Sequence, residues 1–143
     1  IFLILDTVDP GTHGGVYCEL RQKWLMEKLQ EHSDTPTFLF MHHPPFDIEL
    51  PCIDRIGLSD KESFTEIISN SKHSIRHIFF GHAHRPLSGN WMGISFSSLR
   101  GTNHQVRLNF KKEQISYVDE PPEYSVVFIS ETSLVVHSHS FPL

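Results

Sequence analysis

The stretch Ile78–Pro86 reads IFFGHAHRP, and it decides which fold the sequence predicts. An apolar run stops at Gly81, and His82 and His84 follow with one residue between them. A short apolar run that ends at turn residues is typical of a strand buried in a parallel sheet. We expect Gly81 to make a turn that other residues resist, and the small Ala83 to let both histidines face one pocket.

A second pair of histidines follows another predicted strand. The segment 35–41 (TPTFLFM) is apolar and rich in β-formers, and His42 and His43 come next, before two prolines that cannot continue a ladder. Together with a first strand at 1–7, the predicted order is strand, helix, strand, helix, strand, which indicates right-handed crossovers and a mainly parallel sheet. Both histidine pairs then lie at the carboxyl edge, where such sheets bind ligands.

The sequence also predicts the individual elements. The run 1–7 (IFLILDT) is expected to be a strand covered on both faces, and residues 47–58 to be irregular. Ser59 and Glu62 have capping-box spacing at the start of the second helix. After Pro86, short β-rich runs predict antiparallel strands that extend this sheet or its neighbour. The first helix, predicted over 16–32, has a broad apolar stripe formed by Val16, Tyr17, Leu20, Trp24, Leu25 and Leu29.

The composition limits the classes of function. A chain of 143 residues that is 38% hydrophobic is long enough for one domain with a core. The formal charge of -5 gives no basic field for nucleic acid or an anionic membrane surface, and no apolar run approaches the roughly 20 residues of a membrane span. Two cysteines without a signal peptide favour reduced thiols and a cytoplasmic protein. The start inside an apparent strand, without Met, predicts a fragment.

Four histidines at two neighbouring strand ends favour a metal site over isolated solvent-facing imidazoles. Neutral imidazole is a common ligand of divalent transition metals, and catalytic sites collect several such ligands from separate strand ends. A bound cation would also supply the positive charge that a phosphate-bearing substrate needs and that this acidic chain lacks.

The motifs that carry a family resemblance span nearly the whole chain. They are LDTVDPG with the following GG, QKWLMEKL, FLFMHHPPF, Asp54, IFFGHAHRP and LRGTNHQV. The chain resembles the C-terminal half of the calcineurin-like metallophosphoesterases, in particular the bacterial class III cyclic-nucleotide phosphodiesterases and their glycerophosphodiesterase relatives. The resemblance implies an α/β fold: half of a four-layer α-β-β-α sandwich, with a mixed sheet and antiparallel C-terminal strands.

The resemblance also implies a ligand set. His42 and His82 would bind one metal ion and His84 a second, the ions being Fe, Mn or Zn in the full-length parent. His43 would line the pocket, and His104 in GTNHQ would hydrogen-bond a phosphate oxygen or the leaving group. The reaction implied is hydrolysis of a small phosphodiester, such as a cyclic nucleotide, by metal-activated hydroxide.

The ligands that the family takes from its first half are absent from this sequence. No Asp-x-His, Gly-Asp-x-x-Asp or Gly-Asn-His string occurs. We therefore expect residues 1–86 to be the C-terminal half of the catalytic core and 87–143 a β-rich extension of the same domain. No complete catalytic set is expected in this chain, so that it would be inactive alone, and it would pair with the missing N-terminal half or form a homo-oligomer.

Two other functions stay open, and so do the roles of several residues. The alternatives are a phosphomonoesterase of the same fold and a non-catalytic binding or scaffold module. Asp54 is either a support for the HHPP loop or a turn residue, and Arg85 either a phosphate ligand or half of a salt bridge. His137 and His139 share a strand face, where solvent exposure is favoured over chelation, as it is for the loop residue His13.

Overall fold

The computed structural model describes residues 1–142. It is an α/β structure whose strands are β1 (Phe2–Leu5), β2 (Thr37–Met41), β3 (Ile75–Phe80), β4 (Leu87–Trp91), β5 (Ile94–Ser98), β6 (Gln105–Val106), β7 (Tyr117–Val118), β8 (Glu123–Ile129) and β9 (Leu134–Ser140). The helices are α1 (Glu19–Glu31), α2 (Pro51–Asp54) and α3 (Lys61–Ser71).

The central sheet has five strands in the order β1-β2-β3-β5-β4. The pairs β1–β2, β2–β3 and β3–β5 are parallel, and β4 pairs with β5 in the antiparallel direction. The hairpin β8–β9 and the short pair β6–β7 are antiparallel two-stranded sheets. The predicted α/β class, with a mixed sheet and antiparallel C-terminal strands, is therefore confirmed.

One face of the sheet packs against α1 and α3 and forms the core. The strands contribute buried side chains such as Leu3, Leu39 and Ile78, and the helices contribute others such as Leu25 and Phe64. These five side chains have between 0% and 7% of their surface exposed. Because β2 and β3 are parallel neighbours joined through α3, their carboxyl ends lie side by side.

The prediction that β1 is covered on both faces is wrong. Leu3 and Leu5 are buried, but Phe2 and Ile4 are 61% and 69% exposed. β1 is the edge strand, and no helix of the described residues covers the face that Phe2 and Ile4 share with Phe40. An apolar run therefore predicted the strand correctly without revealing that only one of its faces is packed.

The first helix is shorter than its apolar stripe predicts. Val16 and Tyr17 precede α1 in extended chain, where Tyr17 N donates a hydrogen bond to Asp60 Oδ2 over 2.9 Å. Leu20 and Trp24, expected in the core, are 80% and 40% exposed. They line a surface groove with Ile4 and Leu5 at the edge strand β1, so they pack at the rim of the sheet and not in its core.

Three further local predictions need correction. Ser59 does not form a capping box, because α3 begins at Lys61 and the Ser59 hydroxyl donates to Asp60 Oδ2 instead. The segment 47–58 contains the short helix α2, which Pro51 starts. Residues 90–99, one of the β-rich runs after Pro86, are not a single strand, because a turn at 92–93 joins β4 to β5 within them.

Two features bear on the environment of the chain. Cys18 is exposed and Cys52 buried, and neither is in a disulfide. Among residues 1–142 we find no helix with both the length and the apolar composition needed to cross a bilayer.

Candidate metal and substrate site

The predicted site forms where β2 and β3 end together. Met41 and Phe80 are paired in the parallel register, so that His42 and Gly81 leave the sheet next to each other. Gly81 N donates a hydrogen bond to His42 O over 3.1 Å, which extends the pairing by one residue. The two sequence motifs, whose first histidines are 40 residues apart, thus meet because they end neighbouring strands.

Three imidazoles cluster at this edge. Ligand atoms of His42, His43 and His82 lie within 4.8 Å of one another. His42 Nε2 is 3.2 Å from His82 Nδ1, and the ring centroids of His43 and His82 are 4.5 Å apart. The other ring nitrogen of His82, Nε2, is buried and has no hydrogen-bond partner within residues 1–142. A buried nitrogen without a partner beside other imidazoles fits a metal ligand, since leaving it unpaired costs free energy.

The backbone of the GHAH motif is strained at its histidines. His82 and His84 have φ values of 63° and 47°, a left-handed conformation that is uncommon for residues with a side chain. Gly81, expected to make the turn, is not among the residues with positive φ, so that prediction is wrong. Ala83 between them is fully buried. Strain of this kind concentrates at functional sites, where the surrounding structure holds it in place.

His84 is oriented by the segment that contains His104. Its Nδ1 atom lies 2.7 Å from the carbonyl oxygen of His104, so that Nδ1 carries the proton and Nε2 keeps a free lone pair. The two rings stack with centroids 4.6 Å apart, and His104 meets Tyr117 edge-on at 4.5 Å. A carbonyl that holds one ring nitrogen is the usual support of a metal-binding histidine.

His43 has a different environment from its neighbour His42. It is 5% exposed, whereas His42 is exposed. His43 Nδ1 lies 2.8 Å from the hydroxyl of Thr7, and Nε2 lies 3.2 Å from the carbonyl oxygen of His13. Both ring nitrogens therefore have protein partners.

Burial keeps the clustered imidazoles neutral. Burial, together with the neighbouring His43 and His42, lowers the pKa of His82 to about 4, against a smaller opposing effect of the Ile56 backbone. The pKa of His42 is lowered by the partial desolvation of its ring, although the residue as a whole is exposed, and then by His84. The pKa of His43 is lowered by burial and then by His42. Neutral imidazole is the form that binds a metal ion, so this environment fits the ligand chemistry near pH 7.

A cavity of about 510 Å³ opens over these residues. All five residues predicted for the site line it, namely His42, His43, His82, His84 and His104. Their roles as metal and substrate ligands stay predictions. The cavity wall also includes residues that the sequence analysis missed or set aside: Asp9, Thr12, His13, Ile56 and Tyr117. The loop composition of GTHGG, next to a strand end, was the one signal that pointed to part of this wall.

Other residues weighed from the sequence lie outside this cavity. Asp54 accepts hydrogen bonds from Ile48 N and Leu50 N over 2.8 and 2.9 Å, which closes the loop after HHPP. Arg85 forms a salt bridge with Glu120 at 3.0 Å. His137 and His139 are exposed on β9 in the C-terminal hairpin. The loop-closing role of Asp54 and the salt bridge of Arg85 are therefore the alternatives that the structure supports.

Comparison with known proteins gives a consistent group of relatives. The chain is 39% identical over 141 residues to a probable cyclic nucleotide phosphodiesterase of Rhodopseudomonas palustris, covering 96% of this chain and 51% of the relative. It is 28% identical over 137 residues to a probable glycerophosphodiester phosphodiesterase of Arcobacter nitrofigilis, covering 94% and 50%. A cAMP/cGMP dual specificity phosphodiesterase of Mycobacterium tuberculosis is 29% identical over 100 residues, or 70% and 31%.

These matches cover only part of each relative. The chain spans about half the length of the first two relatives, while they match almost all of the chain. No protein-family model matches the chain.

Proposed function

This chain is a relative of the class III cyclic nucleotide and glycerophosphodiester phosphodiesterases of the calcineurin-like group, and on that premise we propose that its gene product is a metal-dependent phosphodiesterase. The substrate would be a small phosphodiester, such as a cyclic nucleotide or a glycerophosphodiester. Relatives with these two kinds of substrate in their names match the chain, and all of them are phosphodiesterases.

One observation carries the metal dependence. His82 Nε2 is buried without a partner in the described residues, beside His42 and His84. We propose that His42 and His82 hold one metal ion and that His84 takes part in holding a second. Bound ions of this kind supply Lewis acidity and a nucleophilic hydroxide near neutral pH.

The chain's own residues prepare the site for that chemistry. The His104 carbonyl holds the Nδ1 proton of His84, which leaves Nε2 directed to act as a ligand. The His104 imidazole, stacked on His84 at the cavity, would hydrogen-bond a phosphate oxygen or the leaving group. A scaffold would have no chemical reason to bury an unpaired imidazole nitrogen, so this observation disfavours a non-catalytic module.

The same site lacks a bridging acid. The group that could hold an ion among residues 1–142 contains three histidines and no carboxylate. We propose that the carboxylate and amide ligands come from outside these 143 residues, and that this chain alone binds at most one ion weakly and does not turn over substrate. Residues 1–86 would be the C-terminal half of the catalytic core, and 87–143 a β-rich part of the same domain.

Hydrolysis of bis(p-nitrophenyl) phosphate by the intact gene product tests the proposal. We expect turnover that requires Mn²⁺, Fe²⁺ or Zn²⁺, and its loss in His82→Ala. His139→Ala is the matched control, because it removes an exposed imidazole on β9 that lines neither cavity beside the clustered histidines, and it should leave turnover unchanged.

Two results would contradict the proposal. Either no turnover with any of the three metals, or equal activity of His82→Ala and wild type, would remove the metal-centre assignment. A parallel assay with p-nitrophenyl phosphate separates the diesterase from a monoesterase of the same fold, since the monoesterase would prefer that substrate.

A further inference from the structure

His43 is held so firmly by the protein that it has no ring nitrogen left for a ligand. The His13 carbonyl can only accept a hydrogen bond, so His43 Nε2 must carry the proton that bridges their 3.2 Å separation. Nδ1 then accepts the proton of the Thr7 hydroxyl, which lies 2.8 Å away. Thr7 is 1% exposed and also accepts from His43 N over 3.4 Å. Binding a metal ion or substrate through His43 would break one of these buried bonds.

Gly15 gives an independent indication that the loop is built around this ring. A Cβ atom at Gly15 would lie 2.5 Å from Cγ and Nδ1 of His43, closer than atoms can approach. The loop is closed at its base by hydrogen bonds from Gly15 N to Gly57 O at 3.0 Å and from Val16 N to Thr7 O at 3.1 Å. The imidazole therefore lies under the segment 8–15 and touches it at His13 and Gly15, while Thr7, the residue before the segment, holds the other ring nitrogen.

The same segment forms a rim of the cavity. Asp9, Thr12 and His13 line the cavity that the clustered histidines also line. The Thr12 hydroxyl lies 3.3 Å from Asp9 Oδ2 and 3.1 Å from Gly14 O, which fixes the carboxylate within the loop. A carboxylate repels an anionic phosphodiester but accepts hydrogen bonds from hydroxyl groups, and an imidazole can donate or accept them.

We propose that His43 is a positioning residue for the segment 8–15, and that Asp9 and His13 on this segment bind a hydroxyl-bearing substituent of the phosphodiester. This inference rests on the proposed function. It gives the rim a role in substrate choice and assigns His43 no direct contact with metal or substrate. The reacting phosphate would lie deeper, at the strand ends.

Kinetics of the intact gene product test the inference with three diesters. 3′,5′-Cyclic AMP and glycerophosphoethanolamine bear free hydroxyls, and bis(p-nitrophenyl) phosphate has none. For a hydroxyl-bearing diester, we expect Asp9→Ala and His13→Ala each to raise KM about tenfold, the value of one hydrogen bond, with kcat within about twofold. The KM for bis(p-nitrophenyl) phosphate should not change. The number of metal ions bound per chain, measured by mass spectrometry, should not change either.

The positioning role is tested with Thr7→Val, His43→Ala and Gly15→Ala. Each should raise the same KM without loss of metal, whereas His42→Ala should lose metal. Gly15→Ala should have less than about a twofold further effect in a His43→Ala background, because the added methyl group then occupies the space of the missing ring. Thr7→Val changes only a hydroxyl to a methyl group, so it keeps the test valid if His43→Ala does not fold.

The outcomes separate this inference from the proposed function. Three results would overturn the inference. The first is loss of metal in Thr7→Val or His43→Ala, and the second is additive effects of His43→Ala and Gly15→Ala on KM. The third is a wild type that hydrolyses bis(p-nitrophenyl) phosphate but neither hydroxyl-bearing diester. If the wild type hydrolyses nothing, the proposed function fails, and amide hydrogen exchange of residues 9–14 decides the positioning role. Exchange at least about tenfold faster in Thr7→Val supports it, and unchanged exchange overturns it.

Discussion

The Nδ1 atom of His84 lies 2.7 Å from the backbone carbonyl oxygen of His104, so one segment of the chain sets the ring orientation of another. Gly101 packs against the same ring of His84. The Gln105 side chain holds Gly101 in place, since it accepts a hydrogen bond from Gly101 N and donates one to Gly101 O, each of 2.8 Å. The loop 101–105 is therefore the support on which His84 rests.

A methyl group at Gly101 should disturb this support. In Gly101→Ala the new Cβ would lie 2.6 Å from His84 Nδ1 and 3.1 Å from His104 O, so the ring must move. We expect metal affinity of the intact gene product, measured by calorimetric titration with Mn²⁺, to fall by about tenfold or more, since overpacking typically costs ~1–3 kcal/mol. Gly57→Ala is the control, because its Cβ would meet the flexible end of Lys61 at 3.4 Å and Asp54 O at 3.6 Å, which are ordinary van der Waals distances. Equal affinities in both variants would contradict a supporting role for this loop.

Glu120 joins two arginines beside the site. Its carboxylate lies 3.0 Å from Arg85 Nη1 and 3.2 Å from Arg100 Nη2, and all three side chains are at most 32% exposed. Glu120→Gln removes the carboxylate that Arg85 and Arg100 share, and Arg100 keeps only the longer pairing with Glu123 at 3.6 Å. We expect a loss of about 1–3 kcal/mol in the free energy of unfolding, measured by urea denaturation.

The control for Glu120 is another acid that pairs with an arginine at the surface. Glu113 lies 3.4 Å from Arg55, but the two side chains are 71% and 59% exposed. Glu113→Gln should change stability by less than about 0.5 kcal/mol, because water screens this pair. Similar losses of unfolding free energy in Glu120→Gln and Glu113→Gln would show that the Glu120 cluster stabilises the fold no more than an exposed ion pair does.

The sequence predicted the position of the site better than its supports. Local apolar runs and prolines were enough to end β2 and β3 before His42 and Gly81, and parallel pairing then brings the two ends together. The partners of His43 could not be found in this way, since Thr7 is 36 residues away and its hydroxyl has no pattern that distinguishes it. Trp24 was misjudged because helical periodicity shows which residues share a face, but not whether a neighbouring element covers it.

His77 should make stability depend on pH. It is 4% exposed, with Nδ1 2.7 Å from Ser95 Oγ and Nε2 2.8 Å from Ser97 Oγ, and burial lowers its pKa to about 4. An unfolded histidine has a pKa of about 6.5, so between about pH 6.5 and 4 the unfolded chain binds more protons than the native one. The contribution of His77 is therefore complete above about pH 6.5 and is lost as the pH falls toward 4.

Urea denaturation of the metal-free protein between pH 7 and pH 4 measures this contribution. We expect His77→Gln to lose less stability over this range than wild type, by on the order of 3 kcal/mol. His73→Gln, which changes an exposed histidine, should keep the wild-type slope. The lowered pKa values of His42, His43 and His82 act in the same direction. In His77→Gln the unfolding free energy should therefore still rise with pH, but less steeply than in the wild type. Parallel curves for His77→Gln and wild type would rule out this contribution.

The bare face of β1 makes a final prediction about the layer that the resemblance implies. Ile4 is 69% exposed and Leu5 is 4% exposed, although they are neighbours on one strand. In the 143-residue chain, Leu5→Ala should cost about 2–5 kcal/mol of unfolding free energy and Ile4→Ala less than about 1 kcal/mol.

The same two variants in the intact gene product measure whether a second sheet covers this face. In a four-layer sandwich Ile4 would be buried between the sheets, and Ile4→Ala should then also cost about 2–5 kcal/mol. The unfolding free energy lost in Ile4→Ala is compared between the 143-residue chain and the intact gene product, and the difference measures the contribution of the covering sheet. Leu5→Ala is the reference, because Leu5 packs on the helical side of the sheet in both proteins. A cost below about 1 kcal/mol in the intact gene product would mean that no sheet packs against Phe2 and Ile4, and the four-layer arrangement would not hold at this edge.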